Sequence, residues 1–341
     1  MSEWQPDVLG AGFEQFTIDL GADDEGPLVA TLVRALPRQR SVGARLFLRP
    51  LALENVDVLY IHGWSDYFFQ RRLARFWTDR GARFFALDLR KYGRSLRPNQ
   101  TAGYVEHLED YDAEIGEALA LIRTSGVGER RLVLMGHSTG GLILSLWSSR
   151  NPGVADALVL NSPWLEFQLS SRIRQLIAPF VDLRARLQPM KEAPQLDAGF
   201  YSRAIREAAD PDDPMDINPE WRPDQSHAVT PGWLRAVLAG HAEVGAGLVV
   251  NTPICVLLSA RSEAPLRWSE NLTQADTVLD VDEVARASLK LGPSVTIERI
   301  DGALHDIFLS RREARNEAYA RLDRWVMGWQ AVPYPYRSPA S

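Results

Sequence analysis

Short runs of β-branched and apolar residues alternate with longer segments of helical period along most of this chain. That alternation restricts the fold more than any other feature, because it describes βαβ units, which build a mostly parallel sheet with helices on its faces. Strands are expected at 13–20, 28–36, 56–61, 83–89, 131–136, 157–160, 253–259 and 295–300, and helices at 67–79, 105–124, 140–149, 281–290 and 311–329. The helical segments carry apolar residues at three- and four-residue spacing with polar residues between them. From 164 to 251 the rhythm breaks. This stretch holds helical pieces at 169–180 and 233–239, an irregular joint at 209–214 and many large apolar residues. An excursion of this size between two strands reads as a helical cap inserted after strand 6. The expected organisation is a core at 1–163 and 252–332, a cap at 164–251 and a loose tail at 333–341.

Composition narrows the function classes. With 45% hydrophobic and 24% charged residues the 341-residue chain is ordinary for a globular protein, and its net charge of -6 offers no basic surface for nucleic acid. The first twenty residues lack a basic segment followed by an apolar one, and no run approaches the roughly 18–20 apolar residues of a membrane span. A cytoplasmic location is expected. The single cysteine, Cys255, lies in the apolar ICVLL run and reads as buried filler, so neither an intrachain disulfide nor a thiolate metal site is expected. Assembly stays open, a homodimer included.

Gly136-His137-Ser138-Thr139-Gly140 fits G-x-S-x-G between an expected strand and an expected helix, the setting in which the pattern is a nucleophile elbow. A sharp turn there exposes the Ser138 hydroxyl at the carboxyl edge of the sheet. The Thr139 amide, at a helix N-terminus, then faces developing negative charge. The plain alternative is a helix N-cap serine. A base should follow late in the chain, and His305 sits in DGALHD just after the last strand run, a better place than His107, His227 or His241. The orienting acid is less direct, since the turn after 253–259 reads SARSE and has no aspartate. Asp276 precedes a helix start after what reads as an insertion at 261–274, and it is the preferred carboxylate; Asp280 and Glu263 remain alternatives, Asp280 being equally suited to N-capping the next helix. His62-Gly63 closes an apolar strand, which makes the Trp64 amide the second oxyanion donor beside Thr139.

His62-Gly63, the segment ALDLRKYGRS at 86–95, the elbow at Ser138 and Gly302-Ala303-Leu304-His305 together resemble the α/β-hydrolase superfamily, within it the monoacylglycerol lipase and lysophospholipase branch of serine aminopeptidase-like hydrolases. The resemblance implies an α/β-hydrolase fold with an eight-stranded, mostly parallel sheet, a helical cap and hydrolysis of an ester without cofactor or metal. The chain departs from the pattern at Lys91, where the D-x-R-G-x-G-x-S loop has glycine. The expected reaction is acyl transfer through Ser138, with His305 as base, Asp276 as its partner and a small-molecule ester as substrate. An aspartate at 138 would have indicated dehalogenase or epoxide hydrolase chemistry. Two other readings share the scaffold: an acyltransferase using the same acyl-enzyme, and a binding protein without catalysis. Trp164, Tyr67 and His62 are the candidate substrate contacts, with Phe167, Phe180, Phe200, Tyr201, Trp221 and Trp233 as further candidates for an apolar pocket wall.

Overall fold

The structure is a computed structural model and describes residues 3–37, 51–126, 128–166, 184–191 and 197–332. The expected helical piece at 169–180, the tail at 333–341, Phe167 and Phe180 lie outside the described residues. One nine-stranded sheet runs through the described chain: β1 (Gln5–Pro6), β2 (Phe13–Asp23), β3 (Gly26–Ala35), β4 (Val56–Ile61), β5 (Arg83–Asp88), β6 (Arg131–His137), β7 (Ala157–Asn161), β8 (Ile254–Ser259) and β9 (Val295–Ile300). In space their order is β1-β2-β3-β5-β4-β6-β7-β8-β9. The first three neighbouring pairs in that order are antiparallel and the five from β5–β4 onward are parallel.

Eight strands are expected from the sequence and the ninth, β1, is a correction. Two residues including a proline leave no alternation to read. What forms β1 is a turn, with the Asp7 amide donating to Phe13 O and the Gly10 amide to Asp7 O, which folds Gln5 and Pro6 back onto Gln15 and Glu14.

Helices among the described residues include α1 (Arg71–Thr78), α2 (Asp112–Thr124), α3 (Thr139–Arg150), α4 (Phe200–Ala208), α5 (Pro231–Ala246), α6 (Val281–Ser288) and α7 (Arg312–Ala331). Both sheet faces are covered, which is why the central strands read as unbroken apolar runs. Leu59 and Ile61 of β4 enter one apolar cluster with Ile115, Ala118, Leu142, Trp233 and Val284, while Val58 and Tyr60 enter the other with Leu73, Trp77, Ala318 and Leu322. Two helices start later than their periodicity indicates. Residues 67–70 stay outside α1 because the Phe68 amide donates to the Asp88 carboxylate (2.9 Å) and Tyr67 bonds Asn218 instead. Residues 105–111 end in a short 3-10 turn, Leu108–Tyr111, capped by His107 and Asp110.

β4 is flanked by β5 on one side and β6 on the other, so the chain reverses direction across the sheet there. A crevice opens above the carboxyl ends at such a switch point. Gly63 and Ser138 both line it.

Candidate active site

The turn after β6 places Ser138 at φ 50°, ψ -118°, a conformation that costs of order 1–3 kcal/mol for a residue with a side chain. The backbone around it allows no alternative to glycine at two flanking positions. A Cβ on Gly136 would lie 2.6 Å from Gly140 O, and one on Gly140 would lie 2.3 Å from His62 O. Ser138 itself makes no N-cap side-chain bond, so the plain helix-cap reading does not describe its hydroxyl. Its amide donates to Asn161 O at 3.0 Å.

His305 is buried after β9, in a loop held by Ser259 Oγ donating to Ala303 O (2.7 Å) and Leu304 N donating to Ser310 Oγ (2.9 Å). Its Nδ1 lies 2.9 Å from Asp276 Oδ2. Asp276 is 1% exposed, and its other oxygen accepts the Val278 and Leu279 amides at 2.8 Å each. These bonds fix both the carboxylate and, through it, the imidazole tautomer with Nδ1–H. The stretch preceding Asp276 is closed at its base by a bridge between Ser262 and Asp276. Of the other two acids weighed, Asp280 caps α6 by accepting from the Asp282 and Glu283 amides, and Glu263 is exposed. His305 Nε2 is buried without a hydrogen-bond partner and lies with Ser138 in one cavity; no hydrogen bond joins the two side chains. Bonds of this kind are often long in unliganded enzymes and shorten when substrate arrives.

Thr139 opens α3, so its N–H has no acceptor within the helix. Gly63 approaches Ser138 so closely that a Cβ there would be 3.0 Å from Ser138 Cβ, which brings the Trp64 segment beside the serine. Both Trp64 and Thr139 line the cavity.

The cavity is about 660 Å³, with walls that include Trp64, Trp164, Phe200, Tyr201, Val229 and Trp233. Of the three candidate substrate contacts, Trp164 lines the cavity. Tyr67 and His62 require correction. Tyr67 lies outside the lining, its hydroxyl accepting from the Asn218 amide and its ring against Trp221. His62 is 1% exposed; its Nδ1–H donates to Gly63 O (2.7 Å) and its Nε2 accepts from the Leu89 amide (3.1 Å), so it braces the turn. Trp221 likewise packs on Tyr67 and not on the cavity.

Several site residues carried no signal in the sequence. Asn161, at the end of β7, donates to Asp306 Oδ1 (2.8 Å) and so joins the serine turn to the histidine loop. Asp306 also accepts from Gln70 (2.6 Å), and its amide donates to the Tyr201 hydroxyl (2.9 Å). Asp66 forms an ion pair with Arg222 at 2.9 Å, both lining the cavity. Their only trace in sequence is polarity beside apolar runs. His137 is buried, and burial pushes its pKa below the ordinary imidazole value against the opposing pull of the Asp306 charge. Asp66, His137 and Asp306 bring ligand atoms within 4.8 Å of one another, a spacing compatible with a metal ion. The Arg222 cation and the bonds to Gln70 and Asn161 already serve those carboxylates, which makes a second cation there unfavourable.

Residues 56–225 match the serine aminopeptidase S33 family model. Phospholipase YtpA of Bacillus subtilis is 28% identical over 176 residues, covering 46% of this chain and 63% of the relative. The chain spans less than two thirds of the length of the curated relatives it matches. Among solved structures, the chain is similar to a monoacylglycerol lipase of Paleococcus ferrophilus (TM-score 0.58, 16% identity, 80% of this chain and 94% of that one). It is similar also to a soluble variant of monoglyceride lipase from Saccharomyces cerevisiae (TM-score 0.61, 16% identity, 92% and 96%). The large mostly parallel sheet and these likenesses establish the α/β-hydrolase fold. Among the described residues no helix is long and apolar enough to cross a membrane.

Proposed function

We propose that this chain, which has the α/β-hydrolase fold and is similar to monoacylglycerol lipases and a phospholipase, is a serine carboxylic-ester hydrolase acting on an apolar or aromatic small-molecule ester. The observation that carries the proposal is the His305–Asp276 contact of 2.9 Å, which leaves the unpartnered Nε2 in the same cavity as a conformationally strained Ser138. In this reading Ser138 Oγ attacks the ester carbonyl as Nε2 takes its proton. The Trp64 and Thr139 amides receive the carbonyl oxygen as it becomes an oxyanion, each such donor contributing roughly 3 kcal/mol to the transition state. Collapse breaks the ester C–O bond, and the imidazolium returns the proton to the leaving alcohol. Water then repeats the sequence on the acyl-enzyme. The Asp276 carboxylate stabilises the imidazolium.

Residues 164–251 act as a cap over a core formed by 1–163 and 252–332. The aromatic residues that this stretch contributes to the wall suit an acyl chain or an aryl group, in keeping with the lipase and phospholipase names of the relatives. A cavity of about 660 Å³ is within the usual range for a small ligand.

The test is hydrolysis of p-nitrophenyl esters of increasing acyl length by the protein and by Ser138→Ala, with fluorophosphonate labelling. Turnover and labelling that vanish in the variant are expected; an intact protein that neither turns over nor labels would refute the proposal.

A further inference from the structure

Four consecutive residues after the β4 turn are each held by one stretch of the 164–251 excursion. The Trp64 indole N–H donates to His227 O (3.3 Å), and Ser65 Oγ accepts from the His227 amide (2.9 Å). Asp66 pairs with Arg222, and the Tyr67 hydroxyl accepts from the Asn218 amide (2.8 Å). Ser65 has φ 53°, so the segment contains a residue in the left-handed region that its own sequence does not favour. Conformations of that kind persist only when surrounding contacts impose them. On the inner side His62 supplies those contacts, through Gly63 O and the Leu89 amide; on the outer side they come from 218–227.

Arg222 is the centre of the outer set. Its side chain is 9% exposed and that of Asp66 5%, and its guanidinium lies 5.6 Å from the Phe69 ring and 5.8 Å from the Tyr201 ring. A buried ion pair gives little net stability compared with apolar packing, because desolvation offsets the attraction. What it does supply is a fixed separation between the two segments it joins.

We propose that Arg222, through Asp66, is a positioning residue for the Trp64 amide, so that the 218–227 stretch takes part in forming the oxyanion site as well as covering it. This inference rests on the ester-hydrolase reading above. A donor displaced by about 1 Å loses most of its effect on a transition state while still permitting substrate to bind.

The full-length protein is compared with Arg222→Gln, Arg222→Lys, the paired Asp66→Asn/Arg222→Gln, Tyr67→Phe and Arg235→Ala, the last removing an exposed ion pair to Glu106. With a p-nitrophenyl ester, Arg222→Gln is expected to lower kcat about 10- to 100-fold with little change in KM. Affinity for a trifluoromethyl ketone, whose serine adduct carries an oxyanion, should fall by the same factor. Arg222→Lys should recover part of both losses, Tyr67→Phe should give a smaller loss, and Arg235→Ala none. If Arg222→Gln does not fold, the neutral pair and Tyr67→Phe carry the same test without an unpaired buried charge. Variants that melt earlier but keep kcat and ketone affinity per folded molecule would overturn the positioning role and leave the Ser138 reading intact. A wild-type protein that neither labels nor turns over would overturn both.

Discussion

Asp276 and Asp280 are near neighbours in sequence with different surroundings, and the contrast yields a direct test of which carboxylate serves His305. Asp276 is buried against the imidazole, whereas Asp280 is exposed and caps α6. Asp276→Asn is expected to lower kcat by about 10³–10⁴-fold, since an amide neither holds the tautomer nor balances the imidazolium. Asp280→Ala should leave ester hydrolysis unchanged and cost about 1 kcal/mol in urea unfolding. Equal activity losses in the two would contradict the assignment. Gly140 offers a second test at this scale. Its missing Cβ would meet His62 O and Ile61 O at 2.3 and 2.5 Å, backbone atoms at the end of β4 and in the turn that follows it. Gly140→Ala should destabilise the fold by about 3 kcal/mol, read from the urea midpoint.

At the scale of elements, the β2–β3 hairpin is fastened to the loop after β5 by the residue that departs from the family's glycine. Lys91 has φ 62° and is buried, and its ammonium reaches Glu25 (2.5 Å) and Asp23 (2.6 Å). Burial by itself would raise both carboxyl pKa values, but the hydrogen bonds from Lys91 prevail and hold them below the usual carboxylate range. The glycine of the pattern suits the backbone there, and lysine accepts the strained φ while gaining two ion pairs. Lys91→Gly loses the pairs and relieves the strain; Lys91→Ala loses the pairs and keeps it. The alanine variant should therefore be less stable than the glycine variant by about 1 kcal/mol, and the opposite order in denaturant melts would show that φ is not the governing factor.

For the whole molecule, stability should decline on acidification in two stages. His137 has a folded pKa depressed by burial, so below about 6.5 the unfolded chain binds a proton that the folded one does not. Its contribution is complete above that pH and is lost as pH falls. Asp23, Glu25 and Asp210 follow at lower pH: their folded pKa values are depressed, Asp210 by hydrogen bonds from Arg312 and Arg315, so their contributions exist above about 4 and vanish below it. Thermal melts from pH 7.5 to 5 should show a slope that His137→Gln flattens; an unchanged slope would mean that His137 does not govern that window. Cys255, whose thiol pKa burial raises, should react with iodoacetamide only after unfolding.

How much was legible in the sequence follows from how far each determinant reaches along the chain. The strand and helix alternation, the strained turn at Ser138 and the late loop carrying His305 are written by neighbouring residues through period, glycine placement and turn chemistry, so the sequence by itself determined the α/β architecture and the order of the candidate chemical groups. Contacts between distant residues were decided by the tertiary structure. Asn161 meets Asp306 across 145 residues, and Asp66 meets Arg222 from the far side of the excursion. The turning of Tyr67 and His62 away from the cavity is of the same kind, because a side chain's direction there depends on which backbone groups of other segments need a partner. Local pattern encodes which element forms; burial of unlike segments against one another decides what each polar atom finally bonds.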